Sequence, residues 1–251
     1  MDNHNGYLDY LKEGILNLLY PFSCENCGKE IKESKGYAIC ENCMKQIKII
    51  SYPYCYRCGK PLSSMVSFED KVICSECARK KSFFYFVRSV TYYQGVMRKC
   101  IHLLKYKKQV KLIQPLGKIM VDYLNKNHDI NIQEIDLVIP VPLFKDDFAK
   151  RGFNQSSLLA GYIADYFSIS FSEDLLIKNK ENLSQVGLSK SERKDNVKHI
   201  YSINSSRSID HQSILLIDDI YTTGATVEAC CKELIKTGVR NIFVLTLARG
   251  I

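Results

Sequence analysis

Short apolar runs alternate with amphipathic stretches along the second half of the chain. DLVIPVP (Asp136–Pro142), ILLID (Ile214–Asp218) and FVLTLA (Phe243–Ala248) are too short for helices and are bounded by loop residues, the pattern of strands buried on both faces of a parallel sheet. A further strand is expected within SISFSEDLLIKN. Between these runs, NQSSLLAGYIADYF (Asn154–Phe167) and VEACCKELIKTG carry helical spacing, the second ending at Gly238. Upstream, FFYFVRSVTYY is rich in strand formers, VMRKCIHLLKYKKQ sets Val96, Ile101 and Leu104 at helical spacing, and GKIMVDYLN continues as a helix. Strands separated by helices predict an α/β domain whose ligand sits beyond the carboxyl ends of the strands. Near the start, residues 7–19 align Leu8, Leu11, Ile15, Leu18 and Leu19 on one helical face. Pro21 ends that helix, which is expected to pack on the segment after it.

The periodicity lapses over residues 24–77, which hold few large aliphatic side chains. Cysteine replaces them. Eight of the eleven cysteines form four C-x2-C pairs: Cys24/Cys27, Cys40/Cys43, Cys55/Cys58 and Cys74/Cys77. In a reducing compartment this spacing means metal more often than disulfide, and zinc held by thiolates would supply folding free energy that so short a segment lacks. Each half opens with C-x2-C-G-K and closes with a plain C-x2-C, as in two zinc ribbons in tandem. Gly28 and Gly59 suit the left-handed turn that aims amides back at the sulfurs. Sequential pairing puts Cys24, Cys27, Cys40 and Cys43 on one ion and Cys55, Cys58, Cys74 and Cys77 on the other; a cross-braced arrangement would interleave them. Sequential pairing is favoured because each half is a complete unit. Sites of four cysteines are structural and leave no open position for catalysis. Cys230 and Cys231 read as small buried thiols in a helix.

The 251 residues are 46% hydrophobic, contain no Trp, and include no apolar run long enough to cross a bilayer. MDNHNGYLDYLKEG lacks the basic region and apolar block of a signal peptide, so a cytoplasmic protein without membrane insertion is expected. The net charge of +8 is uneven: between Glu76 and Asp122 there is no acid but eleven Lys and Arg residues. A block of one sign and this length repels itself and favours a polyanionic partner.

ILLIDDIYTTGAT (Ile214–Thr226) joins a buried strand, two adjacent carboxylates and a Thr/Gly loop that opens a helix. It is not a P-loop, because the three Gly-Lys pairs precede Glu30, Pro61 and Ile119 rather than Ser or Thr, and the chain contains no G-x-G for a dinucleotide fingerprint. A receiver domain needs more βα units than the 32 residues after Asp219 allow. Loop amides at a helix start favour a phosphate, whereas acids favour hydroxyls or a cation. A ribose 5-phosphate satisfies both. Thr222, Thr223, Gly224, Ala225 and Thr226 would hold the phosphate, while Asp218 and Asp219 would accept from the ribose hydroxyls or meet them with Mg²⁺ between.

ILLIDDIYTTGAT resembles the phosphoribosyl-pyrophosphate motif of type I phosphoribosyltransferases. With the paired ribbons, YYQGVMRKCIHLLKY, IPVPLFKDDFAKRGFNQ and SQVGLSKSERKDN, nearly the whole chain resembles the ComF/GntX family, whose competence members take part in DNA uptake during natural transformation. The resemblance implies a type I phosphoribosyltransferase-like parallel sheet flanked by helices, with an N-terminal double zinc-ribbon module. The expected divisions are a helix over 1–23, the double ribbon over 24–78, a basic connecting or hood segment over 79–130 and the phosphoribosyltransferase-like domain over 131–251. PLFKDDFAKRGFNQ takes the place of a pyrophosphate-binding loop, with Lys145 and Arg151 as cationic contacts and Gly152 allowing close backbone approach. Ser184–Asn196 takes the place of a mobile loop over the ribosyl centre, where Lys190, Arg193 and Lys194 would neutralise pyrophosphate, Arg193 joining Asp218 and Asp219 as catalytic candidates. Acids Asp146 and Asp147 beside the cradle, and the lack of a base-recognition hood, depart from salvage enzymes.

Two functions are compatible with this pattern. In the first, the protein is a DNA-uptake factor. Arg98, Lys99, Lys105, Lys107 and Lys108 track phosphates of single-stranded DNA, Tyr92, Tyr93 and Tyr106 offer stacking faces, with core packing expected of at least one of Tyr92 and Tyr93, and a second site binds phosphoribosyl pyrophosphate or a related nucleotide with Mg²⁺. The family resemblance adds the competence uptake helicase as a partner. In the alternative, it is an active Mg²⁺-dependent phosphoribosyltransferase with an unknown acceptor, outside transformation.

Overall fold

The computed structural model describes residues 23–31, 39–62, 71–127, 129–179, 200–204 and 209–250; the helix expected over residues 7–19 and the segment 184–196 with Lys190, Arg193 and Lys194 lie outside them. Five parallel strands form the main sheet: β1 (Phe86–Tyr92), β2 (Leu137–Pro140), β3 (Ser170–Phe171), β6 (Ser213–Tyr221) and β7 (Asn241–Arg249), in the order β1-β7-β6-β2-β3. A separate antiparallel pair joins β4 (Leu176–Lys178) to β5 (Tyr201–Ile203). This is the expected parallel sheet flanked by helices. β6 lies at its centre, and the chain leaves β2 toward β3 but leaves β6 toward β7. The crevice between the carboxyl ends of β2 and β6 is therefore the topological switch point, where such sheets bind ligands.

Because side chains alternate across a strand, β6 feeds two cores. Leu215 and Ile217 face one, with Met97, Ile101 and Leu104 of α3 (Gly95–Lys107), Leu116 and Met120 of α4 (Ile113–Lys126), and Leu159 and Ile163 of α6 (Gln155–Phe167). Ile214 and Leu216 face the other, with Val227, Cys230, Cys231 and Leu234 of α7 (Ala225–Leu234). Burial on both faces explains why ILLID contains no polar alternation. Burial also raises the pKa of Cys230 and of Cys231, so both are protonated packing residues. The helix run ends as its sequence implies: α7 passes into a 3-10 turn at Ile235–Thr237 and stops at Gly238, whose φ is 81°.

The segment 79–130, expected to connect or cover the sheet domain, instead supplies part of it. β1 is an edge strand, and α3 and α4 pack beneath the sheet. The residues between the cysteine groups then cover that edge: the amides of Val87 and Tyr92 donate to the carbonyls of Arg57 and Lys48, and the Ile50 amide donates to the carbonyl of Val90. An edge strand left open invites pairing with another chain. Here Gly59 makes the closure possible, since a Cβ at that position would stand 2.8 Å from the Val87 carbonyl oxygen. Two turns of the cysteine segment are short helices, α1 (Glu41–Met44) and α2 (Ser75–Ala78).

Cys24 and Cys43 belong to the same buried cluster as Met97 and Leu116. The first cysteine group is therefore continuous with the sheet's core. Leu216→Ala is expected to cost about 2–5 kcal/mol through reduced burial and the cavity left behind, read as a lower midpoint in thermal denaturation.

Candidate functional site

Two cysteine cages are assembled in sequential order. The sulfurs of Cys24, Cys27, Cys40 and Cys43, and those of Cys55, Cys58, Cys74 and Cys77, lie within 4.8 Å of one another in each group. Individual sulfur–sulfur edges measure 3.7 Å (Cys24–Cys43), 3.8 Å (Cys27–Cys40) and 3.8 Å (Cys58–Cys74). A tetrahedral ion with Zn–S bonds of about 2.3 Å requires edges of about 3.8 Å, so the donors fit zinc. Both halves repeat one local geometry. The amides of Cys40 and Cys74 donate to the sulfurs of Cys24 and Cys55, each at 3.3 Å, and Gly28 and Gly59 take φ of 70° and 68°. Although burial raises the Cys24 thiol, the amides led by Cys40 lower it further, to about 6. Cys55 is held at about 4, first by the Cys58 thiol and then by backbone amides. Their neighbours move the other way: Cys43 is raised despite the Asn26 amide, Cys58 by the Cys55 sulfur and Cys77 by burial, so one sulfur in each cage is the preferred thiolate, the form that binds metal.

At the switch point, Asp218 and Asp219 sit buried at the end of β6. Asp218 Oδ1 accepts from Ser156 Oγ and from the Asp219 amide, both at 2.9 Å. Ser156 is brought there by α6, which is capped by Asn154: its side chain accepts from the Ser156 amide and donates to the Val141 carbonyl at the end of β2. Burial first, and the neighbouring Asp219 second, push the Asp218 carboxyl up to about 7. Asp219 Oδ2 pairs with the ammonium of Lys105, reaching from α3, as an ion pair without aligned hydrogen-bond geometry. The loop then turns at Gly224, with φ of 80°, into α7; no side chain caps that helix, and the Ala225 amide meets only Thr223 Oγ1 at 3.4 Å. The amides of Thr226 and Val227 precede the first helical bond, Glu228 to Gly224, and face outward as phosphate donors do. A Cβ on Gly224 would collide with the Tyr221 hydroxyl at 2.3 Å.

Several residues lie elsewhere than the sequence suggests. Lys105, expected on DNA, is the counter-ion of Asp219, its side chain 17% exposed. Tyr106 is exposed, but its ring lies 5.9 Å from the Arg151 guanidinium, so the end of α3 stands against the segment that follows β2. Arg98, Lys107 and Lys108 are exposed and Lys99 half-buried along the same helix. Arg88 and Lys118, both in the basic stretch, pair with Asp129 and Asp122. The expected pyrophosphate loop is a short helix, α5 (Lys145–Arg151), so Lys145 and Arg151 stand at opposite ends, about 9 Å apart along its axis. Gly152 is its left-handed cap, with open space around it. Tyr92 and Tyr93 are half-buried, at and just beyond the end of β1. Nothing in the sequence links Lys105 to Asp219 or Ser156 to Asp218; the FNQSS cap at Asn154 was the one readable signal.

The second cage adjoins the loop of Thr222, Thr223 and Gly224. A cavity of about 280 Å³ is lined by Lys80 and Lys81 beside Thr222, Thr223 and Gly224. Arg249, at the end of β7, closes its wall: its guanidinium donates to the Cys58 carbonyl at 2.8 Å and lies 4.8 Å from the Tyr221 ring.

This geometry has two measurable consequences. Elemental analysis of the reduced protein is expected to find two zinc ions per chain, and Cys24→Ser one, with a single lowered unfolding transition because Cys24 is part of the common core. Asp218 has a raised folded pKa, so its contribution makes the ligand-free protein less stable as pH rises from about 4 to about 7. Asp218→Asn is expected to remove that loss, gaining up to about 4 kcal/mol over wild type at pH 8 and little at pH 4, measured by denaturant titration at both pH values.

A double zinc ribbon domain model matches residues 15–81. Competence protein F of Haemophilus influenzae is 28% identical over 92% of this chain and 98% of its own length. DNA utilization protein YhgH of Escherichia coli (strain K12) is 24% identical over 78% and 83%, and competence protein ComFC of Bacillus subtilis 25% identical over 84% of each. Among solved structures, the glutamine phosphoribosylpyrophosphate amidotransferase of B. subtilis is 19% identical with a TM-score of 0.39, covering 55% of this chain and 26% of that enzyme. A hypoxanthine phosphoribosyltransferase from Staphylococcus aureus is 14% identical with a TM-score of 0.29, covering 53% and 61%. Those two likenesses are loose, and the fold stands on its own strand order. With relatives aligned along most of its length and a double zinc ribbon ahead of a parallel sheet, the chain is similar to competence protein F and ComFC.

Proposed function

We propose that this protein is a DNA-uptake factor that binds single-stranded DNA and carries a separate site for phosphoribosyl pyrophosphate or a related ribose 5-phosphate with Mg²⁺. The observation that carries the second half is the join of β6 to α7. Two buried carboxylates stand next to an uncapped helix start, so one small ligand meets acids at its sugar and amides at its phosphate. Asp218 and Asp219 would hold Mg²⁺, which would supply positive charge against the ligand's oxygens. Lys105, the counter-ion of Asp219, would give way to that cation. The DNA half is supported by the names of the relatives, competence and DNA utilization proteins, and by the exposed Arg98, Lys107 and Lys108 on α3. A cytoplasmic location and contact with the uptake helicase belong to the same reading.

The alternative, phosphoribosyl transfer, is favoured by one feature. Lys105 stands on Asp219, and Arg151 of another helix lies 5.9 Å from the ring of neighbouring Tyr106; cations of this kind would stabilise departing pyrophosphate. Mg²⁺-dependent pyrophosphate release with an acceptor would establish it.

Calorimetry with phosphoribosyl pyrophosphate and Mg²⁺ is the direct test. Asp219→Asn is expected to weaken binding roughly ten- to a hundredfold, about 1.5–3 kcal/mol, and ribose 5-phosphate is expected to bind better than its 2-deoxy form. Equal binding of the two sugars would leave only an anion hole. For DNA, Arg98→Ala with Lys107→Ala and Lys108→Ala is expected to lower the slope of log K against log salt by up to about 0.7 for each phosphate no longer neutralised. An unchanged slope would move the DNA path off α3.

A further inference from the structure

Far from the phosphate loop, a cavity of about 850 Å³ opens between residues 49–56 and α4. Its walls are the side chains of Tyr52, Tyr54, Tyr56, Tyr123, Ile50 and Ile119. Arg88 also lines it, although only 1% of that residue is exposed. The guanidinium is firmly held: Nε donates to Asp129, and Nη1 donates to the carbonyls of Tyr56 at 2.8 Å and Val87 at 2.9 Å. Nη2 meets no hydrogen-bond partner among the described residues. An acceptor placed in the cavity would give that nitrogen a charge-assisted hydrogen bond.

The aromatic wall is set in advance. The Tyr54 hydroxyl donates to Asp129 at 2.6 Å and accepts from Asn127 at 3.1 Å, while Asn127 also donates to the Tyr123 hydroxyl at 2.8 Å. The guanidinium lies 4.8 Å from the Tyr54 ring centre and stiffens the stack. Both acids at the cavity are engaged, Asp129 with Arg88 and Asp122 with Lys118. Exposed Lys71 and Lys126 complete the lining. A ligand that suits this site is flat, carries a carbonyl for Nη2, and is joined to an anion for the two ammonium groups.

We propose that this cavity binds a nucleobase of single-stranded DNA, with the base against the tyrosines, a ring carbonyl on Arg88 Nη2 and the adjoining phosphate toward Lys71 and Lys126. This rests on the DNA half of the proposed function and is independent of the phosphoribosyl site. Bases stack on aromatic side chains with little sequence preference. Thymine, cytosine and guanine bring the carbonyl; adenine does not, so oligo-dT should occupy the site better than oligo-dA.

An oligo-dT carrying 5-iododeoxyuridine, irradiated on the wild-type protein, tests the site directly by mass spectrometry of the cross-linked peptide. Adducts on Tyr52, Tyr54 or Tyr56 are expected. In binding titrations Tyr54→Leu should lose about five- to tenfold in affinity for oligo-dT, and Tyr54→Phe, which keeps the ring, should lose less than about twofold. Irradiation with 5-iododeoxyuridine monophosphate separates the sources: labelling at the tyrosines only by the oligonucleotide assigns a strand, and equal labelling by the mononucleotide assigns a free nucleotide and overturns the strand proposal. Cross-links confined to residues 98–108 would overturn the cavity as the site while leaving DNA binding intact. No oligonucleotide binding at all would instead remove the DNA reading on which the proposal rests.

Discussion

Two adjacent carboxylates buried at the end of a buried strand must be neutralised, and the crevice is organised around that requirement. Low-dielectric surroundings disfavour both charges, and each disfavours the other. The fold answers unequally. Asp218 takes a hydroxyl and an amide and is raised toward neutrality, whereas Asp219 takes the ammonium of Lys105. The unequal solution leaves one acid that protonates near neutral pH and one that carries its own cation. Any group that binds Asp219 has to displace Lys105, so α3 is coupled to the end of β6.

The ribbons are bound into the sheet domain rather than appended to it. Residues 48–57 cover the outer edge of β1 with backbone hydrogen bonds, and the first cage shares its core with α3 and α4. Arg249 ties the second cage to Tyr221 at the phosphate loop. Metal that holds the thiolates together therefore also holds the sheet edge closed and one wall of the loop in place. Hydrogen bonds of this kind carry modest energies singly, but here they act on the same strand and share its order.

Charge is distributed in the same integrated way. The basic stretch that looks uniform along the chain is divided in space: Arg88 is buried against Asp129, Lys105 serves the acid pair, Lys118 meets Asp122, and Arg98, Lys107 and Lys108 remain exposed on α3. Arg79, Lys80, Lys81 and Lys111 of the same stretch are exposed as well. Arg88 differs from these, since Asp129 and two carbonyls fix its guanidinium at the wall of an aromatic cavity.

Local chemistry was legible in the sequence. The C-x2-C-G-K repeats determined both cages and their sequential pairing, because each knuckle closes through bonds a few residues apart. ILLIDD followed by TTGAT determined a buried strand, an acid pair and an open helix start, because period, side-chain type and glycine conformation are properties of neighbouring residues. The tertiary structure alone decided what depends on distance along the chain. Lys105 and Asp219 are 114 positions apart, and no periodicity relates them; only the packing of α3 under the sheet makes one the counter-ion of the other. The same holds for β1, whose place at the sheet edge turned an expected connecting segment into a structural strand, and for Lys145 and Arg151, which a helix separated. Sequence specifies short-range geometry through backbone and side-chain sterics, whereas the partner of a buried charge is selected by which elements the shared core brings together.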